Sequence, residues 1–333
     1  MNVTTPLLCR SVAVLAAGAM TIASCGSDSD VGSDTATSDD TTADTAATAE
    51  TGADSTDADS TATGTETDET AADASTGDAD TTAGVEAAQW GDNVTVTVSD
   101  TSFRFESDGL PNHELADEYL VPTTGSFDPP VDETEVAATS SDVAVVESPV
   151  DQEITLNPVY SDTTTETNLG IIGVAISGAQ LFNDYEDTDR SFVAVDDNIT
   201  IDGVDFVDSC NGHPLALAAD GTGQGNYHYH GVPYCITDAV DADGEHSTII
   251  GVLLDGFPFY GPQDADGVTI TSDDLDECSG HVGVTPEFPD GIYHYHLTED
   301  RSPYTVDCYH GEIDAASTTD AGGPPDGEGP PEG

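Results

Sequence analysis

The tetrapeptide Tyr-His-Tyr-His occurs twice, as Tyr227-His228-Tyr229-His230 and as Tyr293-His294-Tyr295-His296. In an extended strand successive side chains point to opposite faces, so each copy sets two imidazoles on one face and two phenols on the other. Residues two apart are separated by about 6.5 Å along a strand, a gap that two rings close by leaning toward one ion. Each copy is therefore half of a metal site. The surroundings repeat as well. Cys210-Asn211-Gly212-His213 precedes the first copy and Cys278-Ser279-Gly280-His281 the second, Cys235 and Cys308 follow them, and the run from Gly173 to Gly178 aligns with that from Gly251 to Gly256. The two stretches, about 169–236 and 249–309, each read as an apolar strand ending in Gly, Cys-x-Gly-His, a loop, the Tyr/His strand and a closing Cys. This order predicts an internally duplicated, pseudo-two-fold domain.

Other short runs carry strand signatures: 94–98, 103–105, 143–150, 153–156, 169–176, 191–195, 199–207, 249–254 and 268–271, split by Gly, Pro, Asn and Asp. No stretch has a sustained helical period. The expected fold is all-β, disulfide-stapled, with long loops, over 89–311. Before it, Arg10 and the apolar run 11–23 form an export signal over 1–24, too short to span a bilayer. The signal ends in Ile22-Ala23-Ser24-Cys25-Gly26, which resembles a lipobox and makes Cys25 the expected site of lipidation. Residues 25–88, mostly Asp, Thr, Ala, Ser and Gly, lack the apolar side chains to offset ordering entropy and read as a disordered tether. The acidic Pro/Gly stretch 312–333 reads as a disordered tail. The expected location is extracytoplasmic, as a bacterial lipoprotein of the cell envelope.

Lys+Arg number 4 against 66 Asp+Glu, a formal charge of -62, and Lys is absent. Nothing neutralises phosphates, which excludes nucleic acid as a partner. An anionic lipid surface is excluded too, apart from contact through the lipid anchor. The charge fits a salty environment and concentrates cations. No feature identifies a protein partner.

Two further stretches, Ser107-Asp108-Gly109-Leu110-Pro111-Asn112-His113 and Leu254-Asp255-Gly256-Phe257-Pro258-Phe259-Tyr260-Gly261, accompany the Tyr/His strands. With them the chain, from Gln89 to His310, resembles the YHYH-domain proteins, secreted proteins of bacteria and eukaryotic microbes. The resemblance implies no established activity. The halves also differ, with Ser177 and Asn183 in one where Asp255 and Gly261 stand in the other.

Cys9 and Cys25 belong to the signal and the anchor, which leaves four cysteines in the exported domain. In an oxidising compartment they predict two disulfides, and the repeat favours Cys210 with Cys235 and Cys278 with Cys308. A zinc–thiolate site is the rival reading, but paired Cys-x-x-Cys knuckles are missing. Both Met, Met1 and Met20, lie in the signal, so the donors left are imidazole and carboxylate, suited to Zn, Cu(II), Mn or Fe. The candidate ligands are His213, His228, His230, His281, His294 and His296. His113 is an outside candidate, Asp255 an added ligand or an orienting partner, and Glu277 an orienting partner. Either each half holds a three-His site, or the Tyr/His strands pair on the pseudo-axis and share one. The shared version is the expectation. Asp264-Ala265-Asp266-Gly267 reads as a solvated turn, a fragment of a calcium loop without its full ligand series.

Three functions follow. The first is a lipid-anchored domain that binds a transition metal. The second is a metal-dependent hydrolase or oxidoreductase with a carboxylate base. The third is a disulfide-stabilised envelope interaction module with structural His. No nucleophile elbow, phosphate-cradling loop or free thiol assigns a catalytic residue, so binding ranks above catalysis.

Overall fold

The computed structural model describes residues 79–123, 134–214 and 225–313. Eight strands form the main sheet: β1 (Ile171–Ala175), β2 (Gln180–Phe182), β3 (Gly212–Pro214), β4 (Tyr227–Tyr229), β5 (Ile249–Leu253), β6 (Pro258–Tyr260), β7 (Gly280–Gly283) and β8 (Ile292–His296). Their order is β3-β4-β2-β1-β5-β6-β8-β7. The central strands β1 and β5 are buried along their whole length, and their unbroken apolar runs suit burial on both faces. They pair antiparallel. A Cβ on Gly173 would come 2.7 Å from the Val252 carbonyl oxygen, and one on Gly251 2.3 Å from that of Val174, so glycine is what lets the two halves meet.

From this centre outward the pairing is the same on both sides. β2 lies antiparallel to β1, β4 parallel to β2, and β3 antiparallel to β4. Likewise β6 lies antiparallel to β5, β8 parallel to β6, and β7 antiparallel to β8. The two Tyr/His strands therefore do not pair. Four strands separate β4 from β8, or about 24 Å at the usual strand spacing, which overturns the expectation of one shared site on an axis. The physical reason is that the middle of the sheet must be apolar on both faces, and β1 and β5 are the strands whose unbroken apolar runs meet that demand.

One face of the sheet carries Tyr227, Tyr229, Tyr293 and Tyr295 into the main core with Ile172, Ile250, Leu253 and Phe257. On the other face Val174, Phe182, Val252 and Leu254 pack on Phe103, Phe105 and Ile154. These three belong to a three-stranded sheet of Val94–Val98, Ser102–Ser107 and Val150–Thr155. The protein is all-β in character, with helices confined to Thr82–Ala87, Ser141–Ala144 and Tyr234–Val240 among the α elements described. Bridges join Cys210 to Cys235 and Cys278 to Cys308.

Several expectations need adjustment. Residues 79–88 belong to the folded domain and not to the tether: Val85 is buried, and the amides of Ala79 and Thr81 donate to the carbonyls of Pro158 and Leu156. Composition hid this, because one Val among Ala, Thr and Gly suffices to dock a short helix. Within 143–150 the chain is helical to Ala144 and strand only from Val150, and 191–195 keeps a single bridge, Tyr185 to Val193. The Thr-rich strand Tyr160–Glu166, paired with Cys308–Gly311, gave no apolar signal. The signal 1–24, Cys25, the tether to residue 78 and the tail from residue 314 lie outside the described residues. No helix among the described residues is long and apolar enough to cross a membrane.

The Cys-x-Gly-His turns show why their letters recur. Asp208 Oδ1 accepts the amides of Cys210 and Gly212 at 2.8 and 3.2 Å, and Asp276 Oδ1 those of Cys278 and Gly280 at 2.9 and 3.0 Å. The other carboxylate oxygen of each accepts the phenol of Tyr227 or Tyr293, both at 2.9 Å. The glycine is where that phenol crosses the turn: a Cβ would fall 2.3 Å from Tyr227 Oη at Gly212 and 2.1 Å from Tyr293 Oη at Gly280. We expect Gly280→Ala to cost about 1–3 kcal/mol through overpacking, measured by urea unfolding. An unchanged midpoint would show that the ring yields freely.

Candidate metal centres

Register delivers the third imidazole. His213 stands directly opposite His228 in the β3–β4 ladder, and His281 opposite His294 in the β7–β8 ladder. Facing residues of an antiparallel pair project to the same side, so each Cys-x-Gly-His turn places its ring beside the His-x-His strand. The six predicted His thus gather as two separate threes, His213/His228/His230 and His281/His294/His296. Ring centroids within the first three lie 4.6, 5.1 and 4.8 Å apart, and within the second 4.6, 5.2 and 4.9 Å.

Backbone carbonyls fix the tautomers. His228 Nδ1 lies 3.1 Å from Asn226 O, and His230 Nδ1 against Asn183 O. His294 Nδ1 lies 3.0 Å from Ile292 O, and His296 Nδ1 2.7 Å from Gly261 O. A carbonyl only accepts, so each Nδ1 holds the ring proton and each neutral Nε2 presents a bare lone pair. The Nε2 atoms of His294 and His296 nevertheless face one another at 3.0 Å, and His281 Nε2 stands 3.0 Å from that of His294. Burial and the neighbouring imidazoles hold His294 far below the ordinary imidazole range, and burial first of all takes His296 down to about 3. Protons are thus disfavoured where two lone pairs converge.

The first cluster gains a carboxylate. Glu186 Oε1 lies 2.8 Å from His213 Nε2 and 2.9 Å from His230 Nε2. These are hydrogen-bond distances, yet all three atoms are buried without a hydrogen-bond partner, so the contacts are short without being aligned as hydrogen bonds. Burial opposes charge on Glu186, but His213 and His230 outweigh it and hold its carboxyl well below the usual range. Burial likewise opposes charge on His230, and Glu186 outweighs it, raising that imidazole. Burial, then His213 and His230, lower His228. The second cluster gains His246, whose ring centroid lies 5.6 Å from that of His294 and 5.2 Å from that of His296, and whose Nε2 is buried without a partner. Asp264 completes it at the surface, 3.7 Å from His246 Nε2. Donor atoms of Glu186, His213, His228 and His230 all lie within 4.8 Å of one another, as do those of His246, His294 and His296, and those of Asp264, His281 and His296. Such spacing suits one transition-metal ion.

Three sequence candidates lie elsewhere. His113 sits on the tyrosine face, its Nε2 2.7 Å from the Tyr229 phenol. Asp255 is also on that face and accepts the Tyr295 phenol at 2.7 Å. It corresponds to Ser177, whose hydroxyl lies 2.9 Å from the Tyr229 phenol, so the difference between the halves concerns tyrosine anchoring and not the His cluster. The Glu277 carbonyl lies 3.6 Å from Cys308 Sγ, and Glu277 belongs to neither cluster. Alternation is the reason, since residues bonded to the Tyr rings are on the wrong side of the strand to reach the imidazoles.

Glu186, His246 and Asp264 escaped the reading of the sequence. A signal existed for two of them: Glu186 follows Asn183 by three residues, Asp264 follows Gly261 by three, and Asn183 and Gly261 supply the equivalent carbonyls. Asp264, taken as part of a solvated turn, is the counterpart of Glu186. His246 lies between the two repeated stretches and has no counterpart.

A family model described as YHYH protein matches residues 151–270 and 262–311. The chain carries a YHYH domain. The match takes in both disulfides and both His clusters, and its two segments overlap over 262–270, just after β6. No curated protein and no solved structure matches the chain.

The buried Asp255 of the YHYH domain yields a pH signature. Burial pushes its carboxyl from 3.8 up to about 6, although the Tyr295 phenol and the amides of Phe257 and Gly311 lower it in part. A carboxyl that holds its proton more tightly in the folded than in the unfolded chain stabilises the fold below about pH 4 and loses that contribution as pH rises through 6. The stability of the protein relative to Asp255→Asn is expected to fall by on the order of 3 kcal/mol between pH 4 and pH 7, read from urea unfolding at each pH. A pH-independent difference would contradict it.

Proposed function

We propose that this YHYH domain binds two divalent transition-metal ions, one beside β4 and one beside β8, outside the cytoplasm and tethered to a membrane through Cys25. One observation carries the reading. The Nε2 lone pairs of His294 and His296 are held 3.0 Å apart by rings whose Nδ1 protons are committed to carbonyls, a repulsive arrangement that a cation relieves. The ligand set beside β4 is His213, His228, His230 and Glu186, and that beside β8 is drawn from His246, His281, His294, His296 and Asp264. Imidazole with one carboxylate suits Zn, Cu(II), Mn or Fe, and Lewis acidity is the chemistry such an ion supplies. The acidic chain attracts cations toward both ends of the sheet. The export signal and lipobox-like Cys25 support the location.

Elemental analysis of untagged protein tests the reading, with two ions per chain expected. The pair His228→Ala and His230→Ala is expected to lose one, the pair His294→Ala and His296→Ala the other, and circular dichroism reports whether the fold is kept. Protein that keeps its fold and takes up no metal overturns the proposal. Cys25→Ser is expected to move the protein from the membrane fraction to the soluble one; unchanged partitioning would remove the anchor.

A further inference from the structure

We propose that the two centres are not equivalent: the one beside β8 leaves a coordination position open to a small donor from solvent, such as water or a small anion, and the one beside β4 is closed. This rests on the metal-binding reading and adds to it a division of roles.

The donor sets differ in number, reach and exposure. Beside β4 there are four donors, the number a tetrahedral ion uses, and all are sealed in: His213, His228 and His230 are 2, 1 and 1 % exposed, and the Glu186 side chain 6 %. The carboxylate oxygen stands 2.8 and 2.9 Å from two Nε2 atoms, close enough to share their ion. Beside β8 the equivalent carboxylate has one methylene less. Asp264 stops 3.7 Å from His246 Nε2, and its side chain remains 31 % exposed. His246 fills the interior instead, so three buried imidazoles, His246, His294 and His296, form the floor. The partly buried His281 and Asp264 stand at the mouth and share His296 with that floor. Three buried imidazoles with two partly exposed outer donors leave room for a ligand from solvent, which is how an open zinc site differs from a closed one.

Cobalt(II) and azide test the inference on the full chain. The pair His228→Ala and His230→Ala leaves only the centre beside β8, and the pair His294→Ala and His296→Ala only the one beside β4. Azide is expected to change the visible cobalt spectrum of the first variant and not of the second. In the wild-type protein a chelator is expected to remove cobalt in two phases at least tenfold apart, the faster one absent when His294 and His296 are replaced. Asp264→Glu, which restores the length of Glu186, is expected to blunt the azide response. The wild-type measurement stands even if a paired variant fails to fold. Removal in a single phase, or an azide response at the centre beside β4, overturns the inference and leaves metal binding intact. No cobalt uptake by the wild-type protein sinks both.

Discussion

Four backbone carbonyls orient the imidazoles of both His clusters. Asn226, Asn183, Ile292 and Gly261 each accept a hydrogen bond from an imidazole Nδ1–H, and in doing so turn four Nε2 lone pairs inward. Two of the carbonyls belong to the residue two places back in the chain. The other two lie just past the ends of β2 and β6, the strands that run parallel to the Tyr/His strands. The parallel pairing is therefore what supplies the second carbonyl in each half, and the orientation of the rings is a property of backbone topology.

The same strands do two jobs through the alternation of their side chains. Their phenols are built into the main core, each with a polar partner: Asp208 and Asp276 for Tyr227 and Tyr293, and Ser177 and Asp255 for Tyr229 and Tyr295. Each phenol fixes its strand in register, and the strand fixes the imidazoles behind it. The disulfides close the same loops, so the short strands β3 and β4 and their counterparts are held at the sheet's outer ends by covalent and polar ties more than by length.

Much of this was legible in the chain. The β character, the two bridges and the six clustering His follow from letters repeated at the same spacing, whereas their division into two threes was the less favoured alternative to a shared site. The distance between the threes was not legible, because a repeat fixes what each half contains and says nothing about which strand occupies the middle. That was settled by Gly173 and Gly251, whose missing side chains permit the central pairing. Glu186 and His246 were hidden for a different reason: each lies on an irregular segment where periodicity carries no signal, so Glu186 was marked only by its spacing from Asn183 and His246 by nothing. His113 and Asp255 were drawn in by their closeness in sequence to recognisable stretches, but they hydrogen-bond the phenols of Tyr229 and Tyr295 respectively, on the face opposite the imidazoles.

The breadth of the sheet between β4 and β8 has an electrostatic consequence. Two divalent charges about 24 Å apart repel by under about 1 kcal/mol in a water-like medium, and salt shortens the reach further. On the proposed metal-binding reading, filling one end leaves the affinity of the other nearly untouched. The breadth of the sheet would make two such centres load independently, like vessels whose levels do not communicate.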